Sequence, residues 1–166
     1  MTTPQDFDID AWLEDAERPA RSVTVYQKAG LIADLDALAV QIENEDGEEV
    51  DGPSMGGANL RAKYAELAKQ FHDSALTIRI EGRGESERIK LAGAIEDPNL
   101  RGAAVLADAI QSPKFTPKQV EKLAAKIGDA QFQLIVTRFN EASEEVPAVS
   151  ADFLPKRSTP DDGGES

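Results

Sequence analysis

The chain has 166 residues, no cysteine, and 31 acidic against 18 basic residues, for a net charge of −13. That length gives one domain with a real core, and the missing cysteines exclude disulfides, thiolate metal sites and cysteine nucleophiles. Residues 1–52 carry a net −11, residues 53–140 a net +3 and residues 141–166 a net −5, a spread that argues against nucleic acid as a partner, since phosphate binding needs a concentrated basic face.

Residues 1–20 read as an acidic N-terminal segment. MTTPQDFDIDAWLEDAE has neither a basic start nor an apolar run, so no signal peptide is expected; no apolar run anywhere is long enough to predict a membrane span. Within the segment, Ile9, Trp12 and Leu13 fall at i, i+3 and i+4, one stripe of a short helix that Pro19 stops. So short a helix is not stable alone. It docks on the domain or waits for a partner.

Residues 21–145 read as one mostly helical domain. RSVTVYQ alternates Val23 and Val25 with Thr24 and Tyr26, and ALTIRIEG alternates Leu76, Ile78 and Ile80 with Thr77, Arg79 and Glu81; these are the two convincing strands, each with one buried face. Between them, Leu31, Leu35, Leu38 and Ile42, and again Leu60, Tyr64, Leu67 and Phe71, step by 4, 3, 4, so each helix carries a continuous apolar seam. The glycines and acids between the helices predict a flexible loop over 43–58. The expected unit is a helical hairpin packed on a small antiparallel ribbon, which needs such cover to persist.

Beyond Gly84, ESERIKLAGAI and LRGAAVLADAI predict two alanine-rich helices. Thr116, Pro117 and Gln119 then spell a helix start with a capping box; that helix carries Val120, Leu123 and Ile127 and ends at Gly128, a predicted left-handed cap. Asp129 is the expected cap of a last helix with Phe132, Ile135, Val136 and Phe139 on one face. The fold class is therefore α+β: mainly helical, with a small antiparallel ribbon, a helical hairpin between its strands and a C-terminal helical bundle. Residues 146–166, with Pro147, Pro155, Pro160 and terminal glycines, read as a disordered tail.

The chain offers little chemistry. His72 is the single histidine and reads as an exposed helix-end residue rather than a metal ligand. Asp6, Asp8 and Asp10 begin like a calcium loop, but Ala11 stands where the loop needs glycine. EGRGESE places Glu87 where the third glycine of a dinucleotide fingerprint belongs. Ser74 and Ser86 lack a nucleophile-elbow setting. No enzyme class is supported, and no cofactor or metal is expected.

What remains are surfaces. The stripe Ile9, Trp12 and Leu13 is one. The pair Phe153 and Leu154, followed by Lys156 and Arg157, is the other. On one reading both fold back as satellites of the core; on the other they are docking peptides on polar segments.

FDIDAWLEDAERPARSVTVYQKAGLIADLDAL, ALTIRIEG and the ending VSADFLPKRS resemble proteins encoded beside the tail genes of actinobacterial phages and prophages, the tail assembly chaperones. The resemblance covers about two thirds of the chain and includes no catalytic motif. It implies binding to the tape measure protein, a long helical chain kept soluble while tail tube subunits polymerise around it. It also implies action in the host cytoplasm, absence from the finished particle, and often a longer frameshifted form; the longer form, a second copy and the tail tube protein are further partners it allows. Two alternatives stand beside it: a head–tail connector or minor tail protein of the virion, and an acidic mimic that occupies a basic site on a host factor.

Overall fold

The computed structural model describes residues 6–47 and 55–149. Its elements are α1 (Ile9–Asp15), β1 (Ala20–Tyr26), α2 (Leu31–Gly47), α3 (Met55–Asp73), β2 (Ala75–Glu81), α4 (Glu85–Gly93), a 3₁₀ turn (Pro98–Leu100), α5 (Arg101–Ala109), β3 (Ile110–Ser112), α6 (Pro117–Ile127) and α7 (Asp129–Glu144). The α+β class holds: a mostly helical chain with a small antiparallel sheet.

β1 and β2 pair antiparallel from Ala20 with Glu81 to Tyr26 with Ala75. This register puts Val23 opposite Ile78 on the inner face and Thr24 opposite Thr77 on the outer, where their hydroxyls lie 3.0 Å apart. The sheet has a third strand that the two-strand reading lacked. β3 pairs antiparallel with β2 through Ile80 with Ile110 and Arg79 with Ser112, across a bulge. Its three residues are too few for alternation to register, and LRGAAVLADAI scans as a helix to its last residue. In the fold, α5 ends at Ala109 and Ile110 turns into the sheet, fully buried.

The C-terminal helices cover the inner face. Val23, Val25, Ile78 and Ile80 form one core with Val105, Leu106, Ala109 and Ile110, and with Val120, Ile135 and Phe139 from α6 and α7. α7 runs along edge strand β1. Near its start the Gln131 side chain accepts from Tyr26 N at 2.7 Å and donates to Tyr26 O at 3.1 Å, and past its end Glu145 pairs with Arg21 at 3.2 Å. A helix so placed blunts an edge that would otherwise offer free backbone groups.

The helical hairpin does not pack on the ribbon, and this corrects the expected arrangement. The outer face of the sheet, Ser22, Thr24, Thr77 and Arg79, is exposed. The seams of α2 and α3 face each other instead, with Leu38 the buried residue of α2. Polar outer residues give the hairpin nothing to cover, while the stronger apolar faces of α5 and α7 take the inner side. The hairpin is held at its base by Tyr26 stacked on Phe71 at 4.2 Å between centroids, and by the Ser74 hydroxyl, which accepts from Lys28 N and donates to Phe71 O. Farther out, Arg61 donates to both Asp46 oxygens at 2.6 and 2.7 Å.

Two further expectations shift. The loop placed over 43–58 is helical at both ends, since α2 runs through Gly47 and α3 begins at Met55; residues 48–54 lie outside the described residues. Gly128 takes φ +85° but ψ 160°, so it is an extended glycine junction rather than a left-handed cap. Gly128, not Asp129, occupies the cap position of α7, and Asp129 is its first helical residue. The capping box of α6 is as read: the Thr116 hydroxyl accepts from Gln119 N at 3.2 Å, and Gln119 Oε1 accepts from Thr116 N at 2.9 Å.

Candidate partner-binding surfaces

Three surfaces are candidates for partner binding, and they differ in chemistry. The first is α1. The Asp8 carboxylate caps it by accepting from Ala11 N at 3.1 Å, and Pro19 O accepts from Gly82 N at 2.8 Å where the chain joins the sheet. Between these points Arg18 donates to Glu87 at 2.7 Å. That hydrogen bond raises the Arg18 guanidinium above its ordinary pKa and holds the Glu87 carboxyl below the usual carboxylate range. The helix buries none of its residues. Ile9, Trp12 and Leu13 are 52, 56 and 56 % exposed, so the apolar stripe is presented to its surroundings and not folded into the core. Phe153, Leu154, Lys156 and Arg157 lie outside the described residues.

The second surface is a groove of about 620 Å³ between α4, α5, α6 and α7. Ala92, Ala103, Leu106, Ala124, Phe132 and Val136 line it, and Ile89 stands at its lip, 66 % exposed. Small residues on three of its helices let another backbone approach closely. The alanine-rich wording of α4 and α5 carries this feature in the sequence, but only the fold brings those faces together with α6 and α7. Arg88 and Arg101 sit on the rim. Arg88 is 3.7 Å from Glu144, and its Nε is buried with no hydrogen-bond partner among the described residues.

The third surface is a groove of about 640 Å³ at the Tyr26 end of the sheet, walled on one side by α6. Leu76, Phe115, Leu123 and Ile127 supply its apolar lining, and Lys114, Lys122 and Lys126 its rim. Lys118, Lys122 and Lys126 recur every fourth residue in the sequence, a stripe visible there but hidden within the −13 total. Asp73, the acid beside this groove, is matched by Lys69 at 2.6 Å.

No group of three or more His, Cys, Asp or Glu residues able to hold a metal occurs among the described residues, where Asp6, Asp8 and Asp10 also lie. His72 is exposed near the end of α3, edge-on to Phe71 and Tyr26 at 5.4 and 6.4 Å. Among the described residues no helix is long and apolar enough to cross a membrane.

The buried polar centre of the molecule is structural. Arg83, 7 % exposed, donates to Asp108 Oδ2 at 2.9 Å, Asp108 O at 2.8 Å and Gly82 O at 3.0 Å, while its own N–H reaches Ser143 Oγ at 3.0 Å. It ties the end of β2 to α5 and α7, as a buried charge requires partners on every side. No family model, curated protein or solved structure matches the chain.

Proposed function

We propose that the chain is a tail assembly chaperone: a non-catalytic protein that holds the helical tape measure protein soluble, in the host cytoplasm, until the tail tube forms around it. The observation that carries this reading is the apolar groove between α4, α5, α6 and α7. An amphipathic helix recognises such a groove by laying a few apolar side chains, spaced i, i+3/i+4, i+7, against its lining. Alanines at positions 92, 103 and 124 admit the ridge of a helix, and the rim guanidiniums of Arg88 and Arg101 meet acids or free carbonyls beside the stripe. The sequence resemblance to tail assembly chaperones supports the same reading from the opposite direction.

A chaperone must also release. An open groove without covalent chemistry gives contacts that a polymerising tube can displace, and a net charge of −13 keeps a complex with an apolar client dispersed. Phe153 and Leu154, beside Lys156 and Arg157, serve in this account as a tethered second contact, raising the effective concentration of the dock near the client.

The test is co-expression with the long helical client, scoring how much client is soluble and co-purifies. The full chain is expected to rescue the client. Ile89→Asp, on the exposed lip, should cut recovery about tenfold, since it places a charge on a surface that must desolvate, while leaving the thermal melt of the free protein nearly unchanged. Phe153→Ala with Leu154→Ala should weaken recovery without loss of the fold. A full chain that fails to rescue the client, or one found as a permanent component of purified particles, moves the reading to a connector or minor tail protein.

A further inference from the structure

We infer that α1 of one copy docks in the lysine-rimmed groove beside α6 of a second copy, so that the protein self-associates head to tail. The surfaces match in both apolar shape and charge. α1 presents Ile9, Trp12 and Leu13 exposed. At 100° per residue, Asp10 flanks this stripe on one side and Asp15 on the other. The groove presents the reverse: an apolar lining that includes Leu76, Phe115 and Leu123, under a rim of Lys114, Lys122 and Lys126. Lys122 and Lys126 make no ion pair among the described residues. The groove's length also suits the occupant, because a seven-residue helix is about 10 Å long against about 16 Å for α6.

The same geometry places the occupant in a second copy. The groove takes in Val25 and Leu76, at the end of the sheet where Tyr26 pairs with Ala75. The chain leaves the body at the other end, where Arg18 is held by Glu87 and Pro19 by Gly82. From Arg18 to Val25 the extended chain spans roughly 23 Å. Trp12 can extend only about 15 Å from Arg18, allowing about 10 Å for the three linking residues and about 5 Å for the helical ones. Trp12 of the same copy therefore falls short of that end, and in the structure α1 lies exposed and outside its own groove. A second molecule has no such restriction.

A contact in which one patch meets a different patch on the next molecule is heterologous: it propagates as an open chain unless its rotation closes a ring. The rim charges speed encounter and set orientation, while Trp12 and its neighbours provide the buried area. This surface is separate from the proposed client groove, so self-association and client rescue can fail independently.

Trp12 is the only tryptophan in the chain, which makes the contact directly readable in the full-length protein without any client. Sedimentation should show association that strengthens with concentration and weakens with salt, with Trp12 emission moving to the blue as assemblies form. Two full-length variants sharpen the test. Trp12→Ala with Leu13→Ala lacks the stripe but keeps the groove; Lys122→Glu with Lys126→Glu keeps the stripe but reverses the rim. Each alone should associate at least tenfold more weakly. Mixed, they should form a one-to-one complex in which the single remaining tryptophan, that of the lysine variant, shifts to the blue as the other is added.

A protein that stays monomeric with Trp12 emission unchanged overturns the inference. So does a blue-shifted Trp12 in a monomer, which would put α1 on its own molecule. Association insensitive to the lysine reversal, or a mixture that forms no complex while both variants keep the parent's circular dichroism, overturns it as well.

Discussion

Gly82 and Arg83 are neighbours that are both buried, one against helix backbone and the other in a hydrogen-bond network. A Cβ on Gly82 would meet the Ala142 carbonyl, with its carbon only 2.6 Å away and Ser143 Cα at 2.9 Å. The obstacle is helix backbone, which cannot swing aside as a flexible side chain would. Gly82→Ala should therefore cost about 3 kcal/mol by overpacking, read as a lower urea midpoint at unchanged slope. Gly84, two residues on, has nothing within 4 Å of the same position, so Gly84→Ala should leave the midpoint close to wild type; equal effects at the two sites would contradict the packing described. Legibility at this scale depended on sequence distance. The capping box from Thr116 to Gln119 spans four residues and was readable, because its donors and acceptors are local. Gln131 clamping Tyr26 across 105 positions, and Arg83 holding Asp108 across 25, leave no periodic trace. Gly128 was readable as a glycine with positive φ between two helices, but not for its ψ of 160°.

At the scale of elements, the hairpin of α2 and α3 packs chiefly on itself and little on the body of the fold. Its 4, 3, 4 seams predicted two helices, and both are present. The expected packing of the pair on the ribbon is not what forms, because a seam facing a sister helix and a seam facing a sheet have the same spacing. The two strands were legible from alternation, whereas β3, at three residues, was not. Segments with few buried contacts to the core open at lower free energy than the core itself. Native-state hydrogen exchange should accordingly find the amides of α2 and of α3 up to about Lys69 exchanging through a local opening, well before those of β2 and α7. Leu38→Ala should enlarge that opening by about 2–3 kcal/mol while shifting core exchange far less. A single common exchange energy for hairpin and core would show that the arm is integrated with the body.

Across the whole molecule, the α+β class and the apolar stripe of α1 were legible in the sequence, but not whether that stripe would be buried or exposed. The grooves were not legible, since each takes residues from several elements, and only the tertiary fold makes alanines at 92, 103 and 124 one surface. The molecule that results is a small sheet backed by helices, with an apolar groove on the helical bundle, a lysine-rimmed groove at the sheet's end, and an acidic helix with an exposed apolar stripe. On the proposed reading these surfaces serve releasable contacts, one for a helical client and one for a sister copy.

The central claim is that a helical client lies in the groove between α4, α5, α6 and α7. A photo-crosslinking residue introduced at Ile89, on the lip of that groove, and separately at Thr24, on the bare outer face of the sheet, tests it in the complex with client. The account predicts an abundant chaperone–client crosslink from position 89 and little from position 24, with the crosslinked client peptide carrying an apolar stripe at helical spacing. Crosslinks chiefly from position 24, or none from position 89 in a complex that does form, would contradict it.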